Sequence, residues 1–145
     1  MSDDEDLARR MSEFNARIIE EFRSNAGKVG PPFEGAPMVL LTTTGARSGQ
    51  PRTTPLVCLP DDDGTIYVFA SKGGAPTHPA WYHNLVAHPR VTVEQGTERF
   101  EAVATPLEGD ARDAVFARQA ALRPQFGEYQ ESTSRTIPVI ALRRA

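Results

Sequence analysis

Residues 40–56 read LLTTTGARSGQPRTTPL, and the fold turns on how this stretch is read. From Met38 to Thr44 the chain is apolar and β-branched, as suits a strand buried on at least one face. The run breaks at Gly45, and a second strand-like run, Thr53–Leu59, begins after Pro51. Between them Arg47, Ser48 and Arg52 crowd into six residues, among two glycines and no acid. Glycines let backbone N–H groups converge, hydroxyls donate to anions, and arginines grip phosphate or carboxylate as a fork. The turn reads as an anion holder. The plainer reading is a solvated hairpin with two surface arginines.

The charge map favours the first reading. The chain has 19 acids against 16 bases, yet between Gly35 and Val93 the only acids are Asp61, Asp62 and Asp63. Those three lie in one DDDG turn, typical hairpin punctuation, expected to sit far from the arginine turn. The same window holds Arg47, Arg52, Lys72 and Arg90. An acidic protein cleared of carboxylates in its middle third carries a local positive field there, which attracts an anionic ligand. The patch is too small and too poor in lysine and arginine for a nucleic-acid groove.

At 145 residues the chain fits one domain with a real core. No apolar run approaches the roughly 20 residues that span a bilayer. SDDED follows Met1 where a signal peptide would carry bases. Cys58 stands alone, so no internal disulfide forms, and a reducing cytoplasm is the expected setting. Within its strand-like run Cys58 reads as a small core residue.

Residues 1–26 form an N-terminal amphipathic helical segment ahead of the barrel at 36–145. Ser2 and Glu5 offer a capping box, and the early acids suit the positive end of a helix dipole. Leu7, Met11, Phe14, Ile18 and Phe22 recur at spacings of three and four, one apolar stripe that packing on the domain explains. A membrane-surface role is the sharper alternative, opposed by SDDED and the Glu20–Glu21 pair. GKVGPPFEGAP then breaks the helix.

Beyond the hairpin the pattern predicts a strand over Thr65–Ser71, a loop SKGGAPTHP and a short helix over Pro79–Ala87. Strands at Arg90–Gln95 and Glu98–Thr105 follow around Gly96, then a helix at Asp110–Leu122. Residues 123–135 read as irregular, and Ile137–Leu142 as a last strand. About six strands with two or three outer helices make a mainly β fold, a small barrel with helical lids.

The loop SKGGAPTHPAWYHN is the second informative element. Lys72 meets Gly73 and Gly74 in another donor-rich turn, and Trp81, Tyr82 and Asn84 follow at a helix start whose N–H groups face anions. An aromatic platform beside an amide and a cationic turn fits a planar heterocycle with a charged tail. Trp81 reads equally well as a core anchor between helix and barrel. Familiar chemistries are missing. The histidines at 78, 83 and 88 point to different helix faces, and no cysteine pair or HExxH joins them, so no metal site is expected. There is no P-loop, GxGxxG or GxSxG, and no close carboxylate pair. Few proton-transfer groups beside good cofactor donors point to chemistry carried by a bound cofactor.

LLTTTGARSGQPRTTPL, FASKGGAPTHPAWYHNL with HPRVTV, and EYQESTSRTIPVIAL occur in order from residue 38 to 142. In these the chain resembles the deazaflavin (F420)-dependent nitroreductase family, whose fold is a split β-barrel related to flavin-mononucleotide-binding oxidoreductases. The resemblance implies a reductase that uses coenzyme F420. It puts Arg47, Ser48 and Arg52 on the coenzyme phosphate, with Ala46 contributing backbone. It lines the ring and ribityl region with Phe69, Ala70, Ser71 and Lys72, next to Gly73, and lays Thr54, Pro55 and Val57 beneath the ring. The stretch Ala80, Trp81, Tyr82, His83 and Asn84 would close over the coenzyme. Tyrosines spaced by three in some relatives fall here on Arg123, Phe126 and Tyr129, which makes Phe126 and Tyr129 the expected substrate residues.

The implied reaction is hydride transfer to an electron-poor acceptor such as a quinone, an enone or a nitroaromatic. Tyr129 or Ser71 would stabilise or supply the proton that follows. Three alternatives stand beside it. One is a flavin-mononucleotide oxidoreductase on the same barrel, and another is a non-enzymatic carrier of F420 or a lipophilic ligand. The third is a quinone reductase held at the membrane by its first helix. Monomer and homodimer are both compatible with the sequence.

Overall fold

Alternation along the strands builds a closed barrel. Six antiparallel strands, β1 (Met38–Thr44), β2 (Pro51–Pro60), β3 (Ile66–Phe69), β4 (Arg90–Gln95), β5 (Glu98–Pro106) and β6 (Val139–Arg144), close in the order β1-β2-β3-β6-β5-β4. Val39 and Leu41, Ile66 and Val68, Val91 and Val93, Ala102 and Ala104, and Ile140 and Leu142 point inward to one buried cluster. The members of each pair are two positions apart, the period at which side chains return to the same face of a strand. Small and β-branched residues dominate because six strands enclose little space.

Of the residues between those pairs, Leu40, Tyr67 and Ala141 face outward under helices, while Val103 stays 42% exposed. α1 (Asp3–Ser24) lays Ile18 and Phe22, both essentially inaccessible, over Met38 and Leu40. α3 (Gly109–Leu122) and α4 (Gln125–Glu131) cover Tyr67, Phe69, Val139 and Ala141 with Val115, Phe116 and Phe126. α2 (Ala80–Ala87) differs, because its Trp81 and Leu85 join the interior cluster and stop one part of the barrel. Arg23 secures the end of α1 to β4, donating from Nε and Nη2 to the Glu94 carboxylate at 3.0 and 2.9 Å.

The structure is a computed structural model that describes residues 3–145, with side chains from Glu5 onward. Ser2, and with it the expected capping box, lies outside the described residues. Several expectations need correction. Residues 123–135 are not wholly irregular, since Pro124 caps α4 and Phe126 anchors it in the outer core. The described residues thus hold four α-helices where two or three were expected. The α1 stripe divides: Phe14, Ile18 and Phe22 dock, while Leu7 and Met11 remain 56% and 51% exposed. β6 begins at Val139, after Pro138, which has no N–H for the ladder and whose carbonyl accepts from Ala70 N–H at 3.0 Å. β3 is shorter than expected and ends at Phe69, where the chain leaves for the following loop.

Phe22 is the main anchor of α1 by size and burial. Phe22→Ala is expected to destabilise the protein by about 3–5 kcal/mol through lost burial and the cavity left behind. Urea unfolding will check this as a lower midpoint at unchanged slope.

Candidate functional site

The register of β1 against β2, from Met38↔Val57 to Thr44↔Pro51, puts the link Gly45–Gln50 at one end of the pair. The DDDG turn lies beyond the other end of β2, so the acids are held away from the arginines. Gly45 N–H donates to Gln50 O at 2.8 Å and Gly49 N–H to Gly45 O at 2.9 Å, while Ser48 Oγ accepts from Gln50 N–H at 3.2 Å. A Cβ on Gly45 would collide with Ser48 Oγ and crowd Gln50 O at 3.3 Å, so a larger residue would force the Ser48 hydroxyl to move.

Asn84 fixes the turn from outside. Its side chain is 8% exposed; Oδ1 accepts from Ala46 N–H at 2.9 Å and Nδ2 donates to Thr43 Oγ1 at 3.2 Å. Both ends of the amide are therefore engaged within the protein, and Asn84 acts as a strut between α2 and the turn. The bonds that close the turn use the amides of Gly45, Ala46, Gly49 and Gln50. Among the described residues those of Arg47 and Ser48 have no partner on its exposed crest. Arg47 and Arg52 are exposed and make no ion pair among the described residues. Two open amides, a hydroxyl and two guanidiniums are a donor set that could hold an anion.

A cavity of about 810 Å³ opens at this turn. It is lined by Gly45, Ala46, Arg47, Ser48, Arg52, Thr53 and Thr54, and from α2 by Ala80, Trp81, His83 and Asn84. Trp81 is 7% exposed and belongs to the barrel interior as well, so it is both core anchor and cavity wall. Gly45 and Thr53 were not singled out from the sequence; as neighbours of the arginine turn in the strand pair they could have been. A second groove of about 630 Å³ runs beside β1, β4 and the end of α2. Its Arg90 faces Glu101 at 3.8 Å, which offsets its charge, and we take the first cavity as the site.

The remaining predicted residues lie elsewhere. Lys72, Gly73 and Gly74 form a tight turn with three successive left-handed φ values of 47, 63 and 83°. Gly74 is buried against α4, where a Cβ would strike Ser132 Oγ and sit 2.9 Å from Tyr129 O. Ser71, Lys72 and Gly73 thus lie outside the lining of the arginine cavity, and Gly74, next in the same turn, packs on the backbone of Tyr129. Lys72 Nζ donates to Thr77 Oγ1 at 3.2 Å. Phe69 and Phe126 are buried under α3 and α4 with ring centroids 5.5 Å apart, and Tyr129 stacks edge-on to Phe126 at 5.4 Å. Ala70 is inside the barrel, Pro55 is buried, and Val57 packs under α1. Tyr82 lies against the His78 ring at 4.8 Å. Burial pushes the Cys58 thiol up to about 12, so it carries no thiolate at neutral pH.

Arg135 escaped the sequence reading. It sits half-buried before β6 and donates to Ala75 O, Ala70 O and Ser71 O at 2.8, 3.1 and 2.7 Å. Its Nη1 is also 2.9 Å from His78 Nδ1. A guanidinium only donates, so Nδ1 must accept and the imidazole is neutral with its proton on Nε2. Burial first, then Arg135 and His83, hold His78 below the usual imidazole range. The folded state therefore binds this proton less readily than the unfolded chain. The contribution of His78 to stability is complete above its ordinary value near 6.5 and is lost as pH falls below it. Melting temperatures from pH 8 to pH 5.5 are expected to fall more steeply for the wild type than for His78→Gln, which cannot titrate.

The site invites comparison with known proteins. A family model described as F420H(2)-dependent quinone reductase matches residues 15–144. A curated protein of Mycobacterium tuberculosis named F420H(2)-dependent quinone reductase is 42% identical over 129 residues, 85% of each chain. A solved structure titled F420-H2 Dependent Reductase (FDR-A) is 41% identical with a TM-score of 0.67, covering 73% of this chain and 93% of its own. Another, titled a domain-swapped dimer, is 37% identical with a TM-score of 0.69, covering 94% of this chain and 97% of its own. The match runs through the arginine turn, α2 and the strands that hold them, and the chain belongs to the F420H(2)-dependent quinone reductase family.

Proposed function

We propose that this protein is an F420H(2)-dependent reductase that delivers a hydride to a quinone. The observation that carries the reading is the cationic turn opening on the 810 Å³ cavity, with the Arg47 and Ser48 amides open and no carboxylate in the cavity lining among the described residues. That donor set fits a phosphorylated coenzyme, and the family model and the relatives name F420. None of the comparisons reported above names flavin mononucleotide, so the flavin alternative has no support.

Arg47, Ser48 and Arg52 would hold the phosphate, the guanidiniums by paired charged hydrogen bonds and the hydroxyl by a single one. Asn84 would keep the turn preorganised by holding Ala46, so that the donors do not have to be gathered on binding. Ala80, Trp81 and His83 would wall the cavity and keep water from the bound face. When bound, reduced F420 supplies a carbon-borne hydride, a two-electron donor. The acceptor becomes an anion after that transfer, and Tyr129 or Ser71 would donate a hydrogen bond to it.

Arg47→Ala and Arg52→Ala are each expected to weaken coenzyme binding tenfold or more in a fluorescence titration, since losing a charge-assisted contact costs about 1.5–3 kcal/mol. Tyr129→Phe is expected to leave that affinity unchanged and to lower turnover with a quinone, up to the equivalent of about 3 kcal/mol. Coenzyme affinity like wild type in Arg47→Ala would remove the phosphate assignment.

We also infer a homodimer in the cytoplasm. The domain-swapped neighbour supports the dimer, and Leu7 and Met11, exposed on α1, supply apolar surface for a second copy. Among the described residues no helix is long and apolar enough to cross a membrane. Light scattering is expected to give twice the chain mass, and Leu7→Glu with Met11→Glu to shift it toward the monomer; a wild-type monomer at all concentrations would dismiss the dimer.

A further inference from the structure

The loop from Ser71 to Pro79 joins the barrel to α2, so its path decides where the cavity wall stands. The chain does not hold that path by itself. The turn Lys72–Gly74 runs through three left-handed residues, one of them a lysine, a conformation that costs energy unless its surroundings impose it. Its own backbone bonds are few: Gly74 N–H to Ser71 O at 2.9 Å and Ala75 N–H to Lys72 O at 3.1 Å. The stronger hold comes from a residue some 60 positions away. Arg135 directs four hydrogen bonds at this one segment, three to the carbonyls of Ala70, Ser71 and Ala75 and one to His78 Nδ1.

Those acceptors lie on both sides of the left-handed turn, so the guanidinium closes it as a staple. Nε, Nη1 and Nη2 all take part, and only a planar fork reaches acceptors in so many directions from one centre. From His78 the hold passes onward by contact. The His78 ring lies 4.8 Å from that of Tyr82 and 5.8 Å from that of His83, and His83 lines the cavity. Pro79 then caps α2, whose next residues Ala80 and Trp81 are also cavity wall.

We propose that Arg135 is a positioning residue for the cavity: it fixes the loop Ser71–His78 and, through the His78 ring, the α2 wall that receives the coenzyme. Arg135 touches no cavity surface itself, and the identity of the ligand as F420 rests on the function proposed above. Lysine cannot replace it, because a single ammonium lacks the fork. Arg112 provides the contrast. It also bonds backbone near β6, giving Nε and Nη2 to Ile137 O at 3.1 and 2.8 Å. Its Nη2 donates to Gln130 Oε1 at 2.8 Å, while Gln130 Nε2 donates to Arg135 O at 2.7 Å. Arg112 thus supports the backbone of Arg135, and none of its own hydrogen bonds goes to the loop or α2.

The test compares Arg135→Lys with Arg112→Lys in the full chain, with melting temperature measured for both. In Arg135→Lys, hydrogen exchange of amides 71–84 in the ligand-free protein is expected to rise at least tenfold. The emission of Trp81, the single tryptophan, should shift to longer wavelength. F420 should bind at least tenfold more weakly, while the quinone KM at saturating coenzyme stays within twofold. Arg112→Lys should lower the melting temperature without any of these changes. Unchanged exchange and Trp81 emission in Arg135→Lys would overturn the proposal, as would equal effects in Arg112→Lys. Should wild type itself fail to bind F420, faster exchange and shifted emission in Arg135→Lys would still support the positioning role, and the coenzyme reading alone would fall.

Discussion

Closure of six strands into a barrel is the constraint from which the rest of the molecule follows. A closed sheet has no edge to leave unpaired, and its interior is narrow. Valine, isoleucine, leucine and alanine fill that interior from five strands and Cys58 from β2, and the space still left is taken by Trp81 and Leu85 of α2. A helix that must bury those two side chains cannot stand away from the barrel. It is drawn against the β1–β2 turn, where Asn84 bridges Thr43 and Ala46. The cavity is the gap between a helix fixed by its apolar face and a turn fixed by its glycines.

That origin explains the division of labour at the site. The cations sit on the turn, exposed and without an ion pair among the described residues. The wall sits on the helix and doubles as core. Trp81 illustrates the economy, since one face of its environment is the barrel interior and another the cavity. Family membership then gives the anion a chemical identity that geometry alone leaves general.

The outer helices show how the same alternation was used twice. Residues displaced by one position from the interior set face out and meet α1 on β1, and α3 with α4 on β3 and β6. Phe126 belongs to this outer layer, buried between Phe69 and Tyr129. Tyr129 is half-buried beside the Ser71–Gly74 turn, which places α4 next to the loop that leads into α2. The two parts of the predicted site are thus neighbours through the loop and through α2, although one cavity does not enclose them both.

Local signals were enough for much of this. Period-2 alternation marked the strands, the acid-free window marked the arginine turn, and the order of the TTGxxSGxxR, ASKGG and PxWYxNL segments marked the family. These are properties of neighbouring residues, so the sequence by itself determined them. Which strands close the barrel, that Asn84 is a strut, and that Leu7 and Met11 stay outside the packed half of α1 were decided only in three dimensions. Arg135 is the clearest case. Its partners are Ala70, Ser71, Ala75 and His78, and three of the four bonds go to backbone carbonyls, which every residue type possesses. A carbonyl leaves no mark in the sequence, and the guanidinium found these only when the strands brought the loop and the segment before β6 together.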